Sequence, residues 1–208
     1  MRSLGCALTT WLAALLLGAQ AQAQLPASEN AIAVRLVAED PTPAAGETVT
    51  LAFVMAPKEG WHGYWKNPGD AGVPPSVEWT LPAGVTAGEL QFPVPERLVI
   101  AGLMNYVYEG PYAQLVELKV PEGYAPGAPL PLRGKLDYLA CTDEICVPQT
   151  ATVALDLTVG DNAAPPARAA EFDAYRQALP RPLGTGGRFE TSGDRFRLAV
   201  PIPASMEV

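Results

Sequence analysis

Apolar and polar residues alternate with a period of two along most of the first 160 positions. A period of two puts successive side chains on opposite faces of a strand. Residues 32–37 (IAVRLV), 48–55 (TVTLAFVM), 60–67 (GWHGYWKN), 76–81 (SVEWTL) and 113–120 (AQLVELKV) read as strands. Residues 93–105 run from a Pro-flanked stretch into an apolar one, and 132–140 and 147–159 are the last two long strands of the unit. Turn signals such as EDPTPAAGE at 39–47 and PGDAG at 68–72 recur every 8–15 residues, and no helical period appears before residue 160. The pattern predicts an all-β fold, an antiparallel sandwich of about seven to nine strands.

Beyond Gly160 the pattern changes. Residues 161–185 are expected to be a Pro/Ala linker carrying a short helix over 168–179, with Phe172, Tyr175 and Leu179 at helical spacing. Residues 186–208 begin a second β unit, with Ser192-Gly193-Asp194 as a hairpin turn. Two or three strands do not make an independent sandwich, so the second unit is expected to be truncated or to need a partner.

The N-terminus reads as a secretory signal over residues 1–23, which divides the chain into that signal, a sandwich at 24–160, the linker and the second unit. Arg2 precedes an apolar run at 11–18 (WLAALLLG) too short to span a bilayer, and two A-x-A sites follow. Cys6 leaves with the signal. The expected location is the periplasm, membrane-tethered only if the natural chain continues. Lys and Arg total 14 against 22 Asp and Glu, and this acidic balance argues against nucleic-acid partners. Pro (22) and Gly (19) are abundant, yet 49% of residues are hydrophobic, which fits short strands joined by many turns rather than disorder.

The exported chain keeps two cysteines, Cys141 and Cys146, in Y-L-A-C-T-D-E-I-C-V-P. Strand-like alternation on both sides makes residues 142–145 a hairpin loop flanked by the pair. Facing residues in a hairpin have Cβ atoms about 4.5–5.5 Å apart, and a disulfide needs about 3.5–4.5 Å. A small adjustment therefore lets the pair switch between dithiol and disulfide. An inert structural bridge is the competing reading for an exported protein. Closing so short a loop contributes only about 2 kcal/mol of chain entropy, against nearly 5 for a 100-residue loop. The C-x-x-x-x-C spacing is not a thioredoxin motif, and a zinc site would need carboxylates to complete four ligands. Thiolate-bound copper(I) with Met55 or Met104 is a further alternative. Asp137, Asp143 and Glu144 disfavour a thiolate, and the nearest base in sequence is Lys135. Ordinary or raised thiol pKa values are therefore expected, with reactivity dependent on docking.

Residues 60–72 (GWHGYWKNPGDAG) are similar to the G-W-H-x-Y-W-x-N-P-G-D-x-G signature of the exported N-terminal region of ScsB-type proteins, relatives of the transmembrane reductase DsbD. Residues 105–110 (NYVYEG) resemble the segment that follows it, and the late cysteine pair resembles the redox motif. The resemblance covers roughly residues 30–160. It implies an immunoglobulin-like sandwich whose catalytic residues are Cys141 and Cys146, with no metal or organic cofactor. It implies that these cysteines take electrons from a membrane-embedded donor domain, in the same or a separate chain. Acceptors would be periplasmic thioredoxin-like or disulfide isomerase-type proteins. In DsbD a short cap loop covers the cysteines when no partner is docked. Met104, Asn105, Tyr106 and Tyr108 are the matching cap candidates, with Tyr64 beside the site. Ordinary packing is the competing reading for Trp61, Tyr64, Trp65, Tyr106 and Tyr108, and His62 reads as a surface or packing residue. A non-catalytic binding or chaperone-like sandwich and a copper-handling protein remain the rival functions.

Overall fold

The computed structural model describes residues 30–161, 166–182, 184 and 186–201. The expected signal and Cys6 lie outside the described residues, as do residues 162–165 of the expected linker. The strands before residue 160 are β1 (Ile32–Ala38), β2 (Thr48–Pro57), β3 (Gly63–Gly69), β4 (Ser76–Thr80), β5 (Thr86–Ala87) and β6 (Glu96–Ile100), followed by β7 (Leu103–Tyr108), β8 (Tyr112–Lys119), β9 (Pro129–Cys141) and β10 (Cys146–Thr158). Helix α1 (Ala169–Gln177) and the hairpin β11 (Arg188–Ser192) and β12 (Arg195–Ala199) follow.

One sheet has the order β1-β2-β8-β5, and it faces a second of order β10-β9-β4. The architecture is an all-β, immunoglobulin-like antiparallel sandwich. Leu51, Phe53 and Met55 of β2, Val116 and Leu118 of β8, and Leu130, Leu132 and Leu136 of β9 meet in the main core. Strand β9 buries every second residue against this core, so its alternation is that of a strand with one wet face. A third sheet, β3-β7-β6, adjoins the second at one point, where His62 pairs with Cys141.

Strands β2 and β8 carry runs too apolar for one buried face, and α1 explains them. Phe172 is fully buried against Val37, Ala52, Ala113 and Leu115 on the outer face of the first sheet. A nine-residue helix without a side-chain N-cap is marginal alone, and tertiary packing is what holds it. Arg176 pairs with Glu39 and also reaches Thr50 Oγ1 (3.2 Å), while the Val94 N–H donates to the Ala178 carbonyl (2.9 Å). The helix expected in a linker is thus a docked element of the sandwich.

Two further details differ from the sequence reading. The stretch 93–105 contains β6 and the start of β7, turned by Ala101 and Gly102 with positive φ (50° and 86°). Positive φ at both central residues matches strand twist, yet Ala-Gly is a weak sequence signal for it. The two-residue β5 has no periodicity to detect. The expected hairpin at 188–199 forms, and all residues of its strands are exposed.

Phe172→Ala is expected to cost about 3–5 kcal/mol, the range for emptying a buried aromatic site. Urea unfolding followed by circular dichroism should give one transition at a lower midpoint. A separate early helix transition would show instead that α1 is not part of the cooperative unit.

Candidate functional site

The long hairpin β9–β10 ends at the cysteines. It pairs in unbroken register from Pro129↔Thr158 to Cys141↔Cys146. Cys141 directs both main-chain groups away from Cys146. Its N–H donates to the His62 carbonyl (3.0 Å), and its carbonyl accepts the His62 N–H (2.8 Å). Cys141 and Cys146 therefore face each other as a non-hydrogen-bonded pair, the closer of the two kinds in an antiparallel ladder. Their Cα atoms are 4.1 Å apart, and the two sulfurs are bonded. Beyond them the Thr142 N–H donates to the Ile145 carbonyl (2.8 Å), and Thr142 Oγ1 accepts the Glu144 and Ile145 N–H groups (3.2 Å each). One threonine thereby supplies the turn chemistry of this loop.

The two cysteines differ in access. Cys141 is fully buried and packs with Tyr64 and Val107, with Leu98 and Leu139 at the edge of the cluster. Cys146 is exposed and lines a cleft of about 170 Å³ with Tyr64, Ala71, Leu103, Asn105 and Ile145. Ile145 and Leu103 are about half exposed, so the mouth of the cleft has an apolar rim. Asp143 and Glu144 are exposed on the same loop.

The aromatic motif of residues 60–72 builds the other wall. His62 and Tyr64 lie two residues apart on one strand face, the face that meets Cys141. Tyr64 Oη lies 4.0 Å from Cys146 Sγ, and His62 Nε2 lies 3.4 Å from Tyr64 Oη. After Tyr64 the pairing with β7 shifts register. The chain is then clasped to Met104: the Asp70 N–H donates to the Met104 carbonyl (2.8 Å), and the Met104 N–H donates to Asp70 Oδ2 (2.8 Å). Two glycines are required here. A Cβ on Gly69 would stand 2.2 Å from the Met104 carbonyl oxygen, and one on Gly72 would stand 2.3 Å from the Tyr64 ring. Both have positive φ as well. Gly72 thus makes the space in which Tyr64 reaches Cys146.

Of the cap candidates, Asn105 lines the cleft, buried and donating from Nδ2 to the Leu103 carbonyl (3.1 Å). Met104, Tyr106 and Tyr108 lie on the opposite face of β7. Tyr106 meets Trp65 edge-on, and Tyr108 stacks on Tyr112 and donates its hydroxyl to the Pro93 carbonyl (2.8 Å). The β6–β7 turn also reaches the cysteine loop, with Ile100, Ala101 and Leu103 in the cleft wall. Met55 belongs to the main core rather than to the cysteine cluster. Lys135 is paired with Asp137 (2.8 Å).

His62 is the residue the sequence reading placed outside the site. It is 2% exposed and forms the main-chain partner of Cys141. Its spacing of two from Tyr64 was the available signal. Burial lowers its pKa from the ordinary 6.5, opposed by the nearby carboxylates of Glu109 and Asp143. Burial likewise raises the Tyr64 phenol.

Comparison with known proteins places this geometry. Residues 33–158 match the family described as thiol:disulfide interchange protein DsbD, N-terminal. Among solved structures, the N-terminal periplasmic domain of ScsB from Proteus mirabilis is similar at 21% identity and a TM-score of 0.58, covering 84% of this chain and 65% of that one. This chain therefore spans just under two thirds of that structure's length, and the likeness is one of fold. The N-terminal domain of Neisseria meningitidis DsbD in the reduced form is similar at 18% identity and a TM-score of 0.37, covering 63% of this chain and 87% of that one. No curated protein matches the chain.

The lowered His62 pKa has a stability consequence. The unfolded imidazole binds a proton more readily than the folded one, so stability falls as pH drops through the unfolded value near 6.5. Urea midpoints of the disulfide form should decline from pH 7 to pH 5 more steeply in the wild type than in His62→Gln. Equal slopes would show that His62 ionises as freely in the fold as outside it.

Proposed function

The chain belongs to the family of N-terminal domains of thiol:disulfide interchange protein DsbD, and on that premise we propose that it is a periplasmic thiol–disulfide exchange module working through Cys141 and Cys146. The observation that carries the reading is a disulfide at the mouth of a cleft with one sulfur-bearing residue exposed and the other buried. A bridge across residues already paired in register adds little as a staple. Its position at an apolar-rimmed cleft suits docking.

The difference in access supports Cys146 as the exchanging sulfur. A donor thiolate attacks Cys146 Sγ, the Cys141–Cys146 bond breaks, and Cys141 leaves with the electron pair as a thiolate. The donor's second thiolate then attacks its own sulfur in the mixed disulfide and releases Cys146. The donor is oxidised to a disulfide, and this pair is reduced to two thiols. In the second half, the Cys146 thiolate attacks an acceptor disulfide, and Cys141 resolves the mixed disulfide. The donor is a membrane-embedded domain, in the same or a separate chain. The acceptors are thioredoxin-like or disulfide isomerase-type proteins of the periplasm. Exposed Ile145, Val147 and Leu103 supply apolar contact around Cys146.

The sandwich with its docked helix is the exchange unit, and β11–β12 belongs to a separate second unit. Tyr64 and Asn105 are the site-flanking residues of this reading, and the β6–β7 turn is the segment placed to cover the cleft.

Equilibration against glutathione is expected to give a reduction potential of about −200 to −240 mV, in the range of exchange proteins. A value below about −300 mV would make the bridge an inert staple. Cys141→Ala should accumulate mixed disulfides through Cys146, and Cys146→Ala should trap far less.

A further inference from the structure

Three groups form a line inward from the exposed cysteine: Cys146 Sγ, Tyr64 Oη at 4.0 Å, and His62 Nε2 at 3.4 Å from that oxygen. The two rings meet edge-on, and both residues are buried. A disulfide sulfur can only accept, so the Tyr64 hydroxyl points its proton at Cys146, and Tyr64 Oη is left to accept from His62 Nε2–H. Both contacts are long, as in sites that tighten only when a partner docks.

The reduced state needs such a line. The attacking species is a thiolate, and Asp143 and Glu144 beside Cys146 disfavour it. Lys135 is committed to Asp137. The same carboxylate field has the opposite effect on an imidazolium. Asp143 from the cysteine loop and Glu109 just beyond β7 both favour a proton on His62, against the cost of burial. A negative loop that opposes ionisation of the thiol alone therefore opposes it less when the proton stays nearby on His62.

We infer that His62, acting through the Tyr64 hydroxyl, takes the proton of the Cys146 thiol and so readies that sulfur for exchange. The inference rests on the reading of Cys146 as the exchanging sulfur. On reduction the line reverses: the Cys146 thiol donates to Tyr64 Oη, the phenol donates to His62 Nε2, and the neutral imidazole carries its proton on Nδ1. In the step, the S–H bond breaks and its proton moves to Tyr64 Oη, while the phenol proton moves to that bare Nε2. The products are a Cys146 thiolate and a His62 imidazolium, Tyr64 ends as it began, and no electrons change hands. Tyr64 is not itself the base, since burial makes its phenolate costly. The titratable groups facing His62 are Tyr64 on its own strand, Glu109 beyond β7 and Asp143 of the cysteine loop. His62 is a positioning residue here, because it reaches the sulfur only through Tyr64.

His62 is the chain's single histidine, so its ring titration can be followed by NMR without assignment. In the reduced protein we expect that titration to share an inflection with the pH profile of Cys146 alkylation by iodoacetamide, located by peptide mass spectrometry, as coupled groups do. Tyr64→Phe should separate the two curves and slow Cys146 alkylation at pH 7 by about tenfold or more, toward the range of lost general-base help. His62→Gln should slow it similarly, and the double variant should be no slower than either single one, as for residues acting as one unit. If His62→Gln fails to fold, the Tyr64→Phe titrations decide alone. Unchanged alkylation in Tyr64→Phe, or a His62 titration indifferent to that change, would overturn the relay. Mixed-disulfide trapping through Cys146 in Cys141→Ala separates the failures. Trapping with unchanged profiles would sink the relay only, and absence of trapping would sink the exchange reading beneath it.

Discussion

The two main-chain hydrogen bonds between His62 and Cys141 hold the site together. They are the point at which the β3-β7-β6 sheet joins β10-β9-β4. Each satisfies a buried donor and acceptor that would otherwise cost about 1–3 kcal/mol. Fixing the strand register at that point places Tyr64, two residues on, on the face that carries Cys141. It also turns the Cys141 main chain away from Cys146, so the side chains meet as a close pair. A one-residue slip would send Tyr64 and His62 to the opposite face and leave the cysteines without either.

The rest of the aromatic motif defends that register. Strand β3 cannot continue regularly past Tyr64, because Pro68 has no N–H to donate and Gly69 lies against the Met104 carbonyl. The two-way clasp of Asp70 and Met104 restores a defined path, and Gly72 clears the volume occupied by the Tyr64 ring. A stretch that reads as a turn is thus the support of one side chain above one sulfur. Helix α1 does a parallel task behind the first sheet, covering Ala52, Ala113 and Leu115 so that β2 and β8 can be apolar on both faces.

Most of this was legible where one physical rule dominates. Alternation revealed β1, β2, β4, β8, β9 and β10, most plainly in β9, where one face is buried and the other is wet. The cysteines flanking a short polar loop revealed their own pairing. Spacing of Phe172, Tyr175 and Leu179 revealed α1, although composition read its surroundings as a linker; the partners of Phe172 are aliphatic residues more than fifty positions away, which no local window contains. The pairing of His62 with Cys141 was hidden for the same reason. A lone histidine in an aromatic strand says nothing of the edge it will meet, and Cys141 lies 79 positions on. The cap candidates illustrate a different limit. Residues 104–108 fall within β7, whose alternation divides them between two faces, leaving Asn105 on the cleft and Tyr106 and Tyr108 away from it.

A redox pair on a rigid ladder obeys different energetics from one in a flexible loop. Here the ladder from Pro129↔Thr158 onward already brings Cys141 and Cys146 together, so closing the disulfide removes little freedom that folding has not removed. Chain entropy then contributes little to the balance between disulfide and dithiol. That balance passes to the groups at the sulfurs: a phenol aimed at Cys146, a histidine behind it, carboxylates at the rim, and the burial of Cys141. Burial and the carboxylates both disfavour free thiolates, whereas the phenol favours one at the exposed position. The structure therefore separates the two sulfurs by environment while keeping their backbones fixed. One lies exposed at the mouth of the cleft, and the other is held dry beside it.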